Sequence, residues 1–207
     1  MKARFSVEKI IFAGMDNVND YYLERLDLSV LTDFIRENGI LKELGKHEYL
    51  ARQGSLFMQV GYIEEGMFRY LRTDTAGNEH VVGYSFVHTL VGEYSSCLCH
   101  RPVLTDIQAI GKCKVRLVAY EKLRMFWEAS PEHQRLGRLV AEQLFAMAYH
   151  RLVDYCCSTP EERYLDLMSR YPDLKEQRPL KEIASFIGVA PETVSAIRRK
   201  LLKKGKS

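Results

Sequence analysis

From Pro131 to Cys157 the chain runs with a single glycine, Gly137, and no proline after the first residue. Ser130, Pro131 and Glu132 open the run as an N-cap, a proline in the first turn and an acid at the positive end of the helix dipole. Leu136, Leu139, Val140, Leu144, Met147, Leu152 and Tyr155 form a long apolar stripe. About 25 helical residues rising 1.5 Å each extend about 40 Å, longer than a small domain needs to cover its core. Such a stripe wants a partner, so the helix is expected to pair with a second copy across a two-fold axis. The alternative is one long buried helix. Everything else in the chain is arranged at the two ends of this element.

Upstream, Leu28, Leu31, Phe34 and Ile35 line one side of a helix from Leu26 to Asn38, with Gly39 as its stop. From about Leu41 to Leu117 the pattern changes to short strands and turns. Strands are expected at Tyr49–Ala51, Phe57–Glu64, Met67–Arg72, His80–Phe86, Ile107–Ile110 and Lys114–Ala119. Thr75-Ala76-Gly77-Asn78 reads as a hairpin turn. Short strands at this spacing indicate a small all-β barrel or roll. Glu121 to Glu128 is a short helix around Leu123 and Phe126.

Downstream, Ser158-Thr159-Pro160-Glu161-Glu162 restarts a helix that carries Tyr164, Leu165 and Leu167 and ends near Tyr171-Pro172. The stretch Leu180–Arg199, LKEIASFIGVAPETVSAIRR, then reads as two short helices joined by a tight turn. Ile183, Ala184 and Ile187 give the first an apolar face, Gly188 breaks it, and Pro191 opens the second. Val194, Ile197 and Leu201 recur at i, i+3 and i+7. The opposite face carries Glu192, Ser195, Ala196 and Arg199. That layout is a helix-turn-helix whose second helix can enter a DNA major groove. The alternative is a helical hairpin with a solvated basic face.

Net charge is only +3, but it is unevenly spread: Lys175 to Ser207 holds nine Lys or Arg against three Glu. A basic end on a mildly acidic body suits a nucleic-acid reader joined to a sensing or assembly domain. No apolar run approaches the ~20 residues of a membrane span. Ile10–Gly14 is too short for a signal peptide. Five cysteines, an odd number, suit a reduced compartment, so a cytoplasmic protein is expected. No phosphate loop, nucleophile elbow or zinc-hydrolase motif is present, which argues against an enzyme. Cys97-x-Cys99-His100 lacks the paired spacing of a zinc site, so no metal is assigned, and these read as buried or loop residues with a redox or metal role as the alternative. Cys113 reads as core. Cys156 and Cys157 end the long helix, packed or against a dimer mate.

The order β-roll, long helix, helix-turn-helix resembles the Crp–Fnr family of bacterial transcription regulators. Ile63-Glu64-Glu65-Gly66 resembles a turn between roll strands. Leu90-Val91-Gly92-Glu93 resembles the start of the phosphate-binding cassette, and Glu192-Thr193-Val194-Ser195 the core of the recognition helix. Pro160-Glu161-Glu162-Arg163-Tyr164, with Leu180 to Lys200, is most similar to the Bacteroidetes branch. The resemblance implies an α+β fold in three parts. These are a cyclic-nucleotide-binding-like, jelly-roll-like β-roll over 1–129, a dimerisation helix over 130–157, and an all-α helix-turn-helix domain over 158–207. It also implies DNA and RNA polymerase as partners.

In that family the cassette Glu takes a ribose hydroxyl and an Arg-Ser pair clamps the phosphate. Gly92 and Glu93 match, but the Arg-Ser positions hold Val103 and Leu104, and Arg101 lies two positions early. Ala148 and Tyr149 stand where a purine would approach. No usual cyclic-AMP response is therefore expected, the effector is unknown, and no cofactor is assigned. The four cysteines of an iron–sulfur member are missing, since none precedes Cys97. On the recognition helix Glu192 is implied to accept from a cytosine amino group, with Thr193 and Ser195 beside it. Arg198, Arg199, Lys200, Lys203 and Lys204 are implied to contact phosphates. Ala196 and Pro191 replace basic contacts, and the β-hairpin wing is expected to be absent. The leading expectation is a homodimeric DNA-binding regulator. The alternative is a small-molecule or redox sensor with only weak DNA binding.

Overall fold

The computed structural model describes residues 26–170 and 174–204. The expectations for Ile10–Gly14, for the first 25 residues of the roll and for a helix end at Tyr171-Pro172 lie outside the described residues. The protein is α+β. Among the described residues eight strands, β1 (Ile40–Leu44), β2 (Tyr49–Ala51), β3 (Gln59–Glu65), β4 (Phe68–Thr73), β5 (Glu79–Ser85), β6 (Leu90–Val91), β7 (Asp106–Ala109) and β8 (Cys113–Ala119), form two antiparallel sheets. Their orders are β1-β8-β3-β6 and β2-β7-β4-β5. The first strand pairs with the last, Ile40 opposite Leu117 and Leu44 opposite Cys113, which closes the roll.

In β8, Cys113, Val115 and Leu117 point inward and alternate with Lys114 and Arg116, the period-two pattern of a half-buried strand. The outward pair is answered across the sheet by Glu65 and Glu64, each at 2.8 Å. Ile63, Phe68, Val91, Ile107 and Val115 meet between the sheets as a closed core. Strand β7 is buried at all four positions, including Asp106 and Gln108. Asp106 accepts from the Gln53 amide at 2.7 Å, and Gln108 donates to the His47 carbonyl at 3.0 Å. These partners are the reason two polar side chains tolerate the interior. At the β4–β5 turn the Asp74 carboxylate accepts from the Ala76 and Asn78 amides, and pairs with His80 at 2.8 Å. Those bonds, led by His80, hold its carboxyl well below the usual carboxylate range.

Helices α1 (Ser29–Asn38) and α3 (Tyr120–Glu128) cover the outer face of the β3–β8 sheet, with α2 (Tyr94–Leu98) following β6. Leu31, Ile35, Leu123 and Phe126 pack there on Val60 and Val118. The long helix α4 (Pro131–Cys157) begins where expected, with Ser130 Oγ accepting from the His133 amide at 3.1 Å. Its apolar residues do not form the one stripe expected from spacing. Val140 is buried, and Leu136, Leu144 and Met147 turn toward the roll, whereas Leu152 and Tyr155 face outward with Phe145 and Tyr149. The helix therefore has two apolar faces. Gly137 lies against Trp127. A Cβ there would stand 3.0 Å from the indole, so glycine lets α3 and α4 close together.

Helices α5 (Pro160–Arg170), α6 (Leu174–Gln177), α7 (Leu180–Phe186) and α8 (Pro191–Lys204) form the C-terminal unit. Thr159 and Glu162 make a reciprocal capping box at the start of α5. Tyr164, Leu167, Leu174, Ile183, Ala184, Ile187, Val194 and Ile197 share one core. Gly188 adopts φ +70, and a Cβ on it would meet the Tyr155 ring at 2.6 Å. Both the turn and the close approach to α4 demand glycine.

Arg163 ties this junction together. Its Nε donates to the Ile187 carbonyl at 3.0 Å, and its Nη1 to the carbonyls of Tyr155 and Ser158 at 3.0 and 2.8 Å. These carbonyls lie at the C-terminal ends of α4 and α7, where no intrahelical donor remains. Arg163→Ala is expected to lower the unfolding free energy by about 2 kcal/mol in a denaturant titration. Arg163→Lys should recover little of it, because an ammonium cannot reproduce the fork.

Candidate functional site

Two sites stand on this frame, the outer face of α8 and a cavity in the roll. On α8, Val194 and Ile197 are buried against α5 and α7, so the helix is clamped by one side. Of the residues expected to meet DNA, Glu192 and Arg199 are exposed, and Thr193 and Ser195 are half-buried at the edge of the same face. Lys200 is exposed and its Nζ pairs with Glu161 of α5. Arg198 departs from its expected phosphate-contacting role. Its guanidinium lies 5.8 Å from the Tyr164 ring, its Nε donates to the Tyr164 hydroxyl at 3.0 Å, and its Nη2 is buried. Position 198 follows Ile197 and falls on the flank of the buried stripe, where a long side chain folds back along apolar surface.

The first helix of the motif, α7, does not stand clear of the roll. Strand β5 is the edge of its sheet, and α7 covers that edge. The Val81 amide donates to Ser185 Oγ at 2.8 Å, and the Val82 carbonyl accepts from Arg151 of α4 at 2.8 Å. Both are edge-strand groups with no neighbouring strand to take them. Glu182 reaches down to Arg69 of β4, and the two side chains are only 16% and 17% exposed. Tyr84 donates to the same carboxylate at 3.2 Å. Burial and then the Glu182 charge push the Tyr84 hydroxyl pKa well up. Phe186 completes the contact against Leu71, Val81 and Tyr84. The sequence carried no sign of this interface, because Arg69, Tyr84 and Glu182 are far apart along the chain.

Beside Phe186 lies a cavity of about 300 Å³. Its walls come from β3–β6, α1, α3, α4 and the end of α7, and include Val60, Leu90, Leu123, Val140, Leu144 and Trp127. Gly92 and Glu93 line it as expected. Arg101 is exposed and is not among its lining residues. The loop holds Arg101 by its backbone, whose amide donates to the Ser96 carbonyl.

The Glu93 carboxylate is engaged on both oxygens. Oε2 accepts from the Leu104 amide and Ser96 Oγ, each at 2.8 Å, and Oε1 from the Thr105 hydroxyl. A backbone amide and two hydroxyls converging on an anion make a phosphate-type cradle, and here the chain's own carboxylate fills it. Tyr70, on the floor, accepts from the Gly92 amide at 3.1 Å and bonds Ser85 Oγ at 3.1 Å.

The cysteines take no part. Cys97 is buried with its thiol pKa raised by burial, Cys99 is exposed, and the His100 ring lies edge-on to Tyr120. Cys113 is in the core, and Cys156 and Cys157 are exposed at the end of α4.

Residues 41–130 match the family model for the cyclic nucleotide-binding domain. Over 191 residues the chain is 25% identical to the transcriptional activator protein Anr of Pseudomonas aeruginosa, covering 86% of this chain and 76% of that one. Its fold is that of FixK2 from Bradyrhizobium japonicum, with a TM-score of 0.66 and 17% identity over 81% of this chain and 86% of that one. It is also that of the c-di-GMP-responsive global regulator CLP of Xanthomonas campestris, with a TM-score of 0.64 and 17% identity over 86% and 93%.

The domain match implies a cyclic nucleotide, and the residues present do not fit one. Val103 and Leu104 supply no charge for a phosphate, and the Glu93 carboxylate already holds the cradle. Glu93→Ala removes three hydrogen bonds from the loop and should cost about 2–3 kcal/mol of stability, read as a lower thermal midpoint. Calorimetry on the folded variant should still detect no cyclic-AMP binding.

Proposed function

We propose that the chain is a homodimeric, sequence-specific DNA-binding transcription regulator of the Crp–Fnr type, whose roll does not take cyclic AMP in the usual way. The observation that carries this reading is the helix-turn-helix itself. Helix α8 is clamped on one side by Val194 and Ile197 and presents Glu192, Ala196 and Arg199 on the other. The likeness to Anr, a transcriptional activator, supports it. Three working units follow: a sensor roll over 1–129, a dimer helix over 130–157 and a DNA-binding unit over 158–207. Pro160–Tyr164 and Leu180–Lys200 resemble the Bacteroidetes branch of that family. RNA polymerase is the further partner that this resemblance supplies, and the reading is non-enzymatic and cytoplasmic. Among the described residues no helix is long and apolar enough to cross a membrane.

The outer face of α4 supports the dimer. Phe145, Tyr149 and Leu152 are 72%, 55% and 59% exposed and spaced by four and three, the seam of a two-stranded coiled coil. Two copies of α8 then read a near-palindrome in successive major grooves. With Arg198 turned inward, the phosphate contacts fall to Arg199, Lys200 and Lys203.

A selection from genomic DNA with the full chain tests the reading. Affinity for the selected site should fall steeply with salt as counterions are released. A monomer that ignores DNA at low salt overturns the proposal. Leu152→Glu should sediment as a monomer and bind the site at least about tenfold more weakly, since the two half-sites are no longer linked. Glu192→Ala should cost about 1–3 kcal/mol of discrimination at one base pair. Arg199→Ala should weaken all sequences alike and reduce the salt slope by about 1.

A further inference from the structure

The roll cavity has the volume of a ligand site and the wrong chemistry for a nucleotide. About 300 Å³ is at the lower end of small-molecule pockets. It is roughly twice the apolar cavity of about 150 Å³ that takes up benzene. Its walls are mainly aliphatic and aromatic, with Leu31, Val60, Leu90, Val91, Leu123 and Val140 among them. Two charged side chains reach it. Glu93 is held in the cradle, so an anionic ligand meets a fixed negative charge at that end. Arg151 stacks 4.8 Å from the Phe186 ring and donates to the Val82 carbonyl. Tyr70 and Ser85 satisfy each other. The Trp127 Nε1–H is buried and makes no hydrogen bond of normal geometry, with the Tyr94 hydroxyl interacting more loosely beside it.

The cavity also reaches the DNA-binding unit. Phe186 belongs to its wall, to the Leu71, Val81 and Tyr84 cluster of the roll, and to the packing of the helix-turn-helix core. Its ring stands 5.7 Å from that of Tyr84. Filling the cavity changes what Phe186 packs against, and Phe186 is the last residue of α7.

We propose that this cavity binds a neutral, largely apolar molecule about the size of a fused aromatic, and that Phe186 conveys its presence to the helix-turn-helix. The second half rests on the DNA-binding reading; the first stands without it. Trp127 is the chain's one tryptophan and lines the cavity, so it reports directly.

The test titrates the full chain with N-phenyl-1-naphthylamine, a neutral apolar dye that accepts energy from tryptophan. The expected result is saturable binding of one dye per chain, with Trp127 emission quenched and no displacement by millimolar cyclic AMP. Leu144→Glu should weaken dye binding at least about tenfold by placing a carboxylate in the apolar wall. Val82→Glu, at a more exposed wall position, should do the same and serves if the first variant is unfolded by circular dichroism. Non-saturating dye uptake, displacement by cyclic AMP, or undiminished binding in a folded wall variant overturns the cavity assignment.

Saturating dye should also change the affinity for the selected DNA site, and Phe186→Leu should reduce that change. An unaltered DNA affinity at dye saturation overturns the link through Phe186. Dye binding by a chain that ignores DNA overturns the regulator reading and the link while the cavity assignment stands.

Discussion

The placement of the helix-turn-helix unit depends on one guanidinium. Arg163 donates to carbonyls of Tyr155, Ser158 and Ile187, and so joins the end of α4, the start of α5 and the end of α7. Helix ends carry carbonyls with no partner and a partial negative charge, and a planar cation answers both. Gly188 makes the junction possible, because any side chain there would strike Tyr155. The long helix and the helix-turn-helix thus meet at a fixed angle.

A second constraint comes from the open edge of β5. An edge strand must cover its free amides and carbonyls, and this one does so with Ser185 and Arg151. The half-buried Arg69–Glu182 pair adds geometry more than net stability, since desolvating two charges offsets much of their attraction. The consequence is that α7 is at once half of the helix-turn-helix and, through Phe186, part of the cavity wall. On the proposed reading, a ligand in the cavity and DNA at α8 would act on one short helix.

One feature of the cavity was visible in the chain. Val103 and Leu104 at the clamp positions already argued against a phosphate. The role of Glu93 was not visible, because a carboxylate at that position reads as a ribose contact until Ser96, Leu104 and Thr105 are seen around it. Arg101 suggested a replacement cation, and the loop leaves it on the surface. Arg198 read as a phosphate contact from its charge, whereas its position beside the Val194–Ile197 stripe turned it onto Tyr164.

Local signals were enough for most of the elements, but not for the short β6, α2 and α6 or for β1, whose place is set by its pairing with β8. Alternation in β8, the Ser130-Pro131 and Thr159–Glu162 starts, Gly188 in its turn and the Val194–Ile197–Leu201 spacing follow from backbone geometry and nearest neighbours. Tertiary structure decided which apolar face of α4 turned inward, how Asp106 and Gln108 came to be buried, and that α7 docks on β5. Those outcomes depend on partners distant in sequence. Spacing can count the apolar residues on a helix, but only the surface that meets them selects the side that is buried.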